Sequence, residues 1–485
     1  MTDRPTYEQL EHQVASLTNE LREQRQMMIH PVDYKYWDKD VADCISGAAQ
    51  WRACANVQVQ LMAARHQFGL ANDENVQEMQ RAYKLFSPAN ANDLEGELRH
   101  DQLAVIAELS KYTSQDTHDK MHPGTTSYDI LDTARNWCFK KVVYDVVLPK
   151  ARSMLRTLVD LAEQYADRVQ VGRTHGQFTS PITFGQSIAI YASRLDTRID
   201  KMKEEADSLQ GKISGIVGTY ASVGTVIGLE KAREFERYVV EELLGLKVCL
   251  HSTQVVSKEE LADYGNAFVT MMGVLADMAN TMRHLQRSEI GEVSGRETKE
   301  RLGGSSADPS KNNPIQFENA NGVWEQAIAG MNLIYHLQVS DHQRDLRGSV
   351  QARFEPQTTI AIVYDALKRM DKTMGNLAVN EAAMDRNLSS ANAMPAEAMN
   401  AILKAHCFKN AHEVVKGYAR EAARSGKNLV VVAFEDSAFK SLWYNSFTED
   451  QRMHLRDIKL YTGLAVENTR LTVERLKNKY HELWE

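Results

Sequence analysis

The sequence predicts an all-α protein built around a bundle of long helices. Three observations predict it. Glycine and proline number 26 and 10 among 485 residues, about 7% where ~12% is usual. No proline occurs between Pro181 and Pro309, or after Pro395. Gaps that long favour helix, because proline removes a backbone donor and clashes with the preceding turn. Two apolar stripes also keep helical spacing. One is Ile188, Tyr191, Leu195, Ile199, Met202, Ala206 and Leu209. The other is Leu261, Tyr264, Phe268, Met271, Leu275, Met278, Met282 and Leu285. Such seams pack knobs into holes within a bundle, so their methionines read as core and not as a cofactor box.

Taken in order, residues 1–28 place Tyr7, Leu10, Val14, Leu17 and Leu21 at 3-4-3-4 spacing. This reads either as a short coiled-coil seam or as an amphipathic helix packed on the body. His30-Pro31 ends it. Residues 32–115 read as several helices with polar breaks, the clearest at Ser87-Pro88-Ala89-Asn90, and 133–170 as a long amphipathic stretch. The apolar run 428–434 suits a buried helix better than a strand in this context. Both stripes lie in the middle third, which places a central bundle between two smaller helical regions. The expected divisions are an appended helix at 1–31, an N-terminal helical domain at 32–132, a central bundle at 133–372 and a C-terminal helical domain at 373–485.

Composition narrows the function classes. Lys and Arg total 57 against 65 Asp and Glu, a net charge of −8. A mildly acidic chain without a basic stripe argues against nucleic acid as the main partner, while a few local cations suffice for a small anionic substrate. No apolar run of ~18 residues suggests a membrane span, and the N-terminus has no apolar core of a secretory signal. The five cysteines (Cys44, Cys54, Cys138, Cys249 and Cys407) are odd in number and form no C-x-x-C, which reads as reduced cytoplasmic thiols. His118 and His122 have the spacing of a metal pair on a helix, but Pro123 and the Gly-Thr run after it disfavour a helix there, and no metal site is read. No phosphate-binding Walker loop or dinucleotide fingerprint is present, so no cofactor is expected.

Four polar islands interrupt the helical pattern: His122–Asp129, Gly172–Gln177, Gly303–Asn319, and Gln343–Ser349 with Arg353. Successive N–H groups of Gly303-Gly304-Ser305-Ser306 can form a nest for a carboxylate. Lys311 adds a point charge and Asn313 amide donors. Arg344 and Arg353 suit bidentate binding of phosphate or carboxylate. His175 suits general acid–base work. Each island alone is weak evidence, since a Gly-Ser loop is usually only a loop and a lone histidine is usually structural.

Together they resemble a known set. The third island resembles the G-S-S-x-M-P-x-K-x-N-P signature loop of the fumarase/aspartase superfamily. Within it, the chain is similar to the adenylosuccinate lyase family. His100-Asp101 with Ala104 resembles H-D-V-x-A, the first island H-x-G-x-T-S-x-D, and the second R-T-H-G-Q. Ser214–Tyr220 resembles S-G-A-V-G-T-Y/H, and Ser252-Thr253-Gln254, Gln343–Ser349 and Tyr461–Ala465 are further family-like elements. The likeness spans about residues 33–475, and several ordered motifs make it specific.

The resemblance implies three helical domains, a homotetramer on a twenty-helix core, and active sites drawn from three chains. It implies a C–N lyase that eliminates fumarate from adenylosuccinate, leaving AMP, and from the related succinyl-carboxamide ribotide. Ser305 is implied as the base. A serine hydroxyl is far too weak for this unless a closed site rich in N–H groups and a cation holds its ionised form, with Gly303 and Gly304 permitting closure. His175 is implied as the acid, oriented by Glu318. Lys311 and Asn313 are implied to hold the succinyl carboxylates, with Thr126 and Ser127 helping. His100 and His122 are implied near the substrate, and Arg344, Ser349 and Arg353 on the phosphate side. Asp101, Thr174, Gln177, Gln254, Ser306, Lys35 and Tyr36 complete the implied substrate contacts.

Four sites, one of them a residue pair, depart from the family pattern. Lys35 stands where arginine is usual, keeping charge but losing the bidentate fork. Ser310 stands where histidine or tyrosine is frequent, Arg347-Gly348 replaces a pair ending in aspartate, and Asp308 stands where methionine is usual. Asp308 brings a carboxylate to a loop that handles a dianion. It is paired with a cation such as Arg347, turned to solvent, or used to recognise a cationic leaving group. Two alternatives accompany the main reading: a superfamily C–N lyase for another N-succinyl substrate, and a non-catalytic paralogue that binds as a tetramer. Retention of Ser305, His175, Lys311, Asn313 and Glu318 weighs against the second.

Overall fold

The computed structural model describes residues 28–295, 308, 311–390 and 395–485, together with Tyr7, Glu11, Gln13, Val14, Ser16 and Leu17. The chain is helical for most of its length, with only short strands among the described residues. It divides into two compact units. The first comprises Met1–Lys150, Arg198–Gly273 and Gly322–Leu367, the second Ala151–Thr197, Val274–Asn321 and Lys368–Glu485.

Both predicted stripes lie on long helices, Phe184–Ser208 and Glu259–Leu285, with Leu209 one residue beyond the first. Every stripe residue is buried. The methionines are therefore core, as the spacing predicts. Two further long helices, Ile315–His336 and Gln357–Gly375, contribute buried faces. The amphipathic stretch is realised as Ser127–Val142, a π-helical turn at Val143–Val147, and Leu148–Gln164. The Ser87-Pro88 break is a helix start: Ser87 Oγ accepts from Asn90 N at 3.3 Å, with Pro88 in the first turn of Pro88–Leu98. The run at 428–434 forms the helix Leu429–Ala433, with Leu429, Val432 and Ala433 buried. Of the N-terminal seam, Tyr7, Val14 and Leu17 are helical and exposed, while Leu10 and Leu21 lie outside the described residues.

In the first unit, helix Gly47–Gln67 packs on Ser127–Val142, and Phe139 stacks on Tyr264 with ring centroids 5.7 Å apart. The Tyr264 hydroxyl donates to the Phe139 carbonyl at 2.9 Å, so this buried phenol stays satisfied. In the second unit, the C-terminal helices enclose an aromatic core of Phe439, Trp443 and Phe447.

The stretch 169–183 differs from expectation. The polar island there is the tip of an antiparallel hairpin, β1 (Val169–Thr174) and β2 (Gln177–Thr183), not a break between helices. Its two turn residues, His175 and Gly176, have φ of 54° and 72°. Positive φ at both central positions defines a turn whose twist matches the strands. Register shifts between Val171 and Arg173, and there a Cβ on Gly172 would sit 2.3 Å from the Ser180 carbonyl oxygen. Only glycine fits that approach.

Candidate functional site

The predicted residues fall in both units. In the first, a cavity of about 880 Å³ is lined by Tyr36, His100, Ser127, Arg344, Ser349 and Arg353 among others. Lys35 sits beside it in sequence, exposed, at the end of the short helix Pro31–Tyr34.

Arg344 is the best-held cation of the cavity. Its Nη1 donates to Gln254 Oε1 at 3.0 Å, and its Nη2 donates to the Tyr128 hydroxyl at 2.8 Å and to Ser349 Oγ at 3.0 Å. Its guanidinium lies 3.7 Å from the Tyr128 ring centroid. All these partners are neutral, so the arginine is aimed without being neutralised. Arg353, on the helix Arg347–Phe354, is exposed, and its side chain has no protein partner among the described residues. Arg347 bridges Asp345 at 2.5 Å and Asp341 at 3.0 Å. That fork, with backbone N–H donors, holds the Asp345 carboxyl well below the usual range.

His100 caps helix Asp101–Ser110. Its Nδ1 accepts from Leu103 N at 3.3 Å, which leaves Nε2 toward Ser127 Oγ at 3.4 Å. Asp101 lies 3.6 Å from the same imidazole. His122 meets the Gln58 amide through Nδ1 at 3.0 Å. Burial first, then the charge of Arg65 and the neighbouring His100, lower its pKa to about 4, so it is neutral at pH 7. Arg65 is itself buried and donates to the carbonyls of Met121 and Pro123 at 2.8 and 2.9 Å, which fixes the loop carrying His122. Thr126 caps helix Ser127–Val142 and pairs reciprocally with Asp129.

Sequence reading missed the groups that hold these loops. Asp129 and Lys212 form a fully buried ion pair. Asp129 also accepts from Thr126 N at 2.8 Å and Ser214 N at 3.1 Å. Glu236, buried, accepts from Ile213 N at 2.7 Å and the Tyr220 hydroxyl at 2.5 Å. Burial raises the Glu236 pKa, with Asp129 adding to the rise. The 214–220 motif is thus gripped at both ends. The signal was present, since Asp129 stands inside a recognised motif, but its partners beyond Thr126 lie 83 to 86 residues away.

In the second unit, Thr174, His175 and Gln177 form the exposed hairpin tip. Behind the tip, Arg173 binds the buried Glu292 at 2.6 Å, and Gln170 and Asn387 donate to the same carboxylate at 2.7 and 2.6 Å. Lys311 is exposed, with its N–H donating to the Asp308 carbonyl at 3.2 Å. Asn313 lies just before helix Ile315–His336, and Glu318 is exposed in its first turn. Neither the His175 nor the Glu318 side chain has a hydrogen-bond or ionic partner among the described residues of its own chain. Ser305 and Ser306 lie outside the described residues, as does Ser310; Asp308 is exposed.

Comparison with known proteins gives consistent matches. A family described as "Lyase" matches residues 15–329, and one described as "Adenylosuccinate lyase C-terminal" matches 340–441. The adenylosuccinate lyase of Pyrococcus abyssi is 31% identical over 431 residues, covering 86% of this chain and 93% of that protein. The Methanocaldococcus jannaschii enzyme of the same name is 28% identical over 467 residues, covering 93% and 97%. Among solved structures, a Mesorhizobium fumarate lyase superposes with a TM-score of 0.76 at 21% identity, covering 90% of this chain and 98% of that one. A Pseudomonas putida 3-carboxy-cis,cis-muconate lactonizing enzyme gives 0.76 at 20% identity, covering 88% and 95%. At that identity the structural likeness establishes the fold alone.

Proposed function

The chain belongs to the adenylosuccinate lyase family, and from that premise we propose that it eliminates fumarate from adenylosuccinate to leave AMP. The related succinyl-carboxamide ribotide is the second substrate, and purine nucleotide biosynthesis in the cytoplasm is the setting. One observation carries the reading: a charged but un-neutralised arginine, Arg344, held by Gln254, Tyr128 and Ser349 at a cavity of nucleotide size. That arrangement suits a phosphate monoester better than a neutral ligand.

In the proposed reaction Ser305 removes a Cβ proton beside a succinyl carboxylate. The electron pair moves into that carboxylate as an aci-carboxylate, then forms the double bond of fumarate as the C–N bond breaks. His175 protonates the departing nitrogen. Lys311 and Asn313 bind the succinyl carboxylates and stabilise the charge that develops there, which is where preorganised donors contribute most. Thr126 and Ser127 assist. The working form is a homotetramer with each site drawn from three chains. The exposed His175 and Glu318 side chains support this, because each has its polar atoms available to another subunit. Neutral His122 suits contact with the substrate without adding charge.

The test is direct. Purified protein is given adenylosuccinate, and ultraviolet loss of substrate is followed with chromatographic detection of AMP and fumarate. Conversion that disappears in Ser305→Ala, with assembly and AMP binding kept, supports the reading. No conversion by a folded oligomer overturns it. A second reading, a C–N lyase for another N-succinyl substrate, is favoured by Asp308. Asp308→Met leaves adenylosuccinate turnover unchanged or improved if the carboxylate is merely tolerated, whereas a tenfold or greater loss means that it has acquired a substrate role.

A further inference from the structure

We propose that Tyr128 is a positioning residue that sets selectivity for a phosphorylated over a dephosphorylated substrate; the proposal rests on the reading of the Arg344 cavity as the phosphate side of the site. Tyr128 is the second residue of helix Ser127–Val142, whose start is locked by the Thr126–Asp129 capping box and the buried Asp129–Lys212 pair. It is buried, so its ring has a fixed place. The central carbon of the Arg344 guanidinium lies over that ring, 3.7 Å from its centroid, which holds the fork in place.

Counting hydrogens shows what the hydroxyl adds. Arg344 Nη2 donates to both the Tyr128 and the Ser349 oxygens. Those two oxygens lie 2.7 Å apart, so one of their two hydroxyl hydrogens is spent between them. The other has no acceptor among the described residues. The cluster therefore offers one unspent O–H beside a cation with no carboxylate partner among the described residues. With Tyr128 donating to Ser349 Oγ, the Ser349 hydrogen turns outward to the cavity as a donor to an anion. Tyr128 thus holds Arg344 in place through its ring and sets the direction of the Ser349 donor through its hydroxyl. Neither effect needs Tyr128 to touch the reacting atoms.

The experiment measures AMP and adenosine binding by calorimetry on the full-length oligomer, for wild type, Tyr128→Phe and Tyr128→Leu, with adenylosuccinate kinetics alongside. Phe keeps the ring and the fold. Wild type is expected to prefer AMP. Tyr128→Phe is expected to lose about tenfold in AMP affinity, the scale of one hydrogen bond to a charged group, with adenosine affinity unchanged. Tyr128→Leu loses more, because the stack goes as well. KM for adenylosuccinate rises while kcat stays within about twofold, a split that a general loss of structure would not give. An unchanged AMP-to-adenosine ratio in Tyr128→Phe, or an equal loss of both ligands, overturns the proposal. So does a wild type that does not distinguish AMP from adenosine. If wild type prefers AMP yet does not cleave adenylosuccinate, the reaction assignment fails while the ratio in Tyr128→Phe still decides the role of Tyr128.

Discussion

Replacing His122 with glutamine removes a titration that the fold has displaced. Folded, the imidazole titrates near 4 against an ordinary 6.5, because burial first and the Arg65 charge second disfavour the cation. The unfolded chain therefore binds a proton between pH 6.5 and 4 that the folded chain refuses. Stability from this site is complete above pH 6.5 and is lost as pH falls toward 4. The linkage relation gives a loss of about 2.5 kcal/mol at pH 4.5 relative to pH 7.5, at 1.36 kcal/mol per unit of separation. Other groups titrate in wild type and variant alike, so the informative quantity is the difference between the two. Urea unfolding of wild type and His122→Gln across pH 7.5 to 4.5 reads it directly. The gap between their free energies should shift by about 2.5 kcal/mol in favour of the variant as pH falls. A gap constant to within about 0.5 kcal/mol would mean that His122 is not held neutral by burial.

Two further outcomes follow from the same geometry. Gly172→Ala drives a methyl into the Ser180 carbonyl at the bulge; it should cost about 2–3 kcal/mol by overpacking and, by shifting the hairpin that carries His175, lower kcat by more than tenfold, as thermal melts and kinetics would show. Lys212→Met leaves Asp129 buried without its cation; the expected cost is about 3–5 kcal/mol, read as a fall in calorimetric Tm, and a change under about 1 kcal/mol would show that the backbone N–H groups alone sustain the carboxylate.

The helical scaffold was legible because core contacts there are local and periodic. Ile188 to Leu209 and Leu261 to Leu285 announce a buried face through spacing alone, and each residue is buried. The hairpin was not legible. β1 is short, its alternation is broken at Gly172, and its turn pair is His175-Gly176, where Asn-Gly is the usual signal. Arg344, Gln254 and Ser349 were legible as site candidates and do converge. Tyr128 stands inside a motif, but its aromatic side chain reads as core until Arg344 is seen against it. Arg65, Lys212, Glu236 and Glu292 stayed hidden for one reason: hydropathy assigns a charge to the surface, and only tertiary contact reveals that its partners are buried with it.

Glu292 also bears on how the second unit comes together. Its carboxylate receives donors from Gln170 and Arg173 on β1 and from Asn387 on the helix Glu381–Ser390, while its own carbonyl accepts from Asn380 N at 2.9 Å. It immediately precedes the strand Val293–Gly295, which pairs with Leu377–Val379. A partly assembled state that lacks any one of these segments leaves a buried carboxylate short of a donor, at about 1–3 kcal/mol for each missing partner. The hairpin that presents His175 and the strand that leads toward the Ser305 segment therefore gain stability together. Cooperativity at one buried oxygen pair makes arrival of the two a single event.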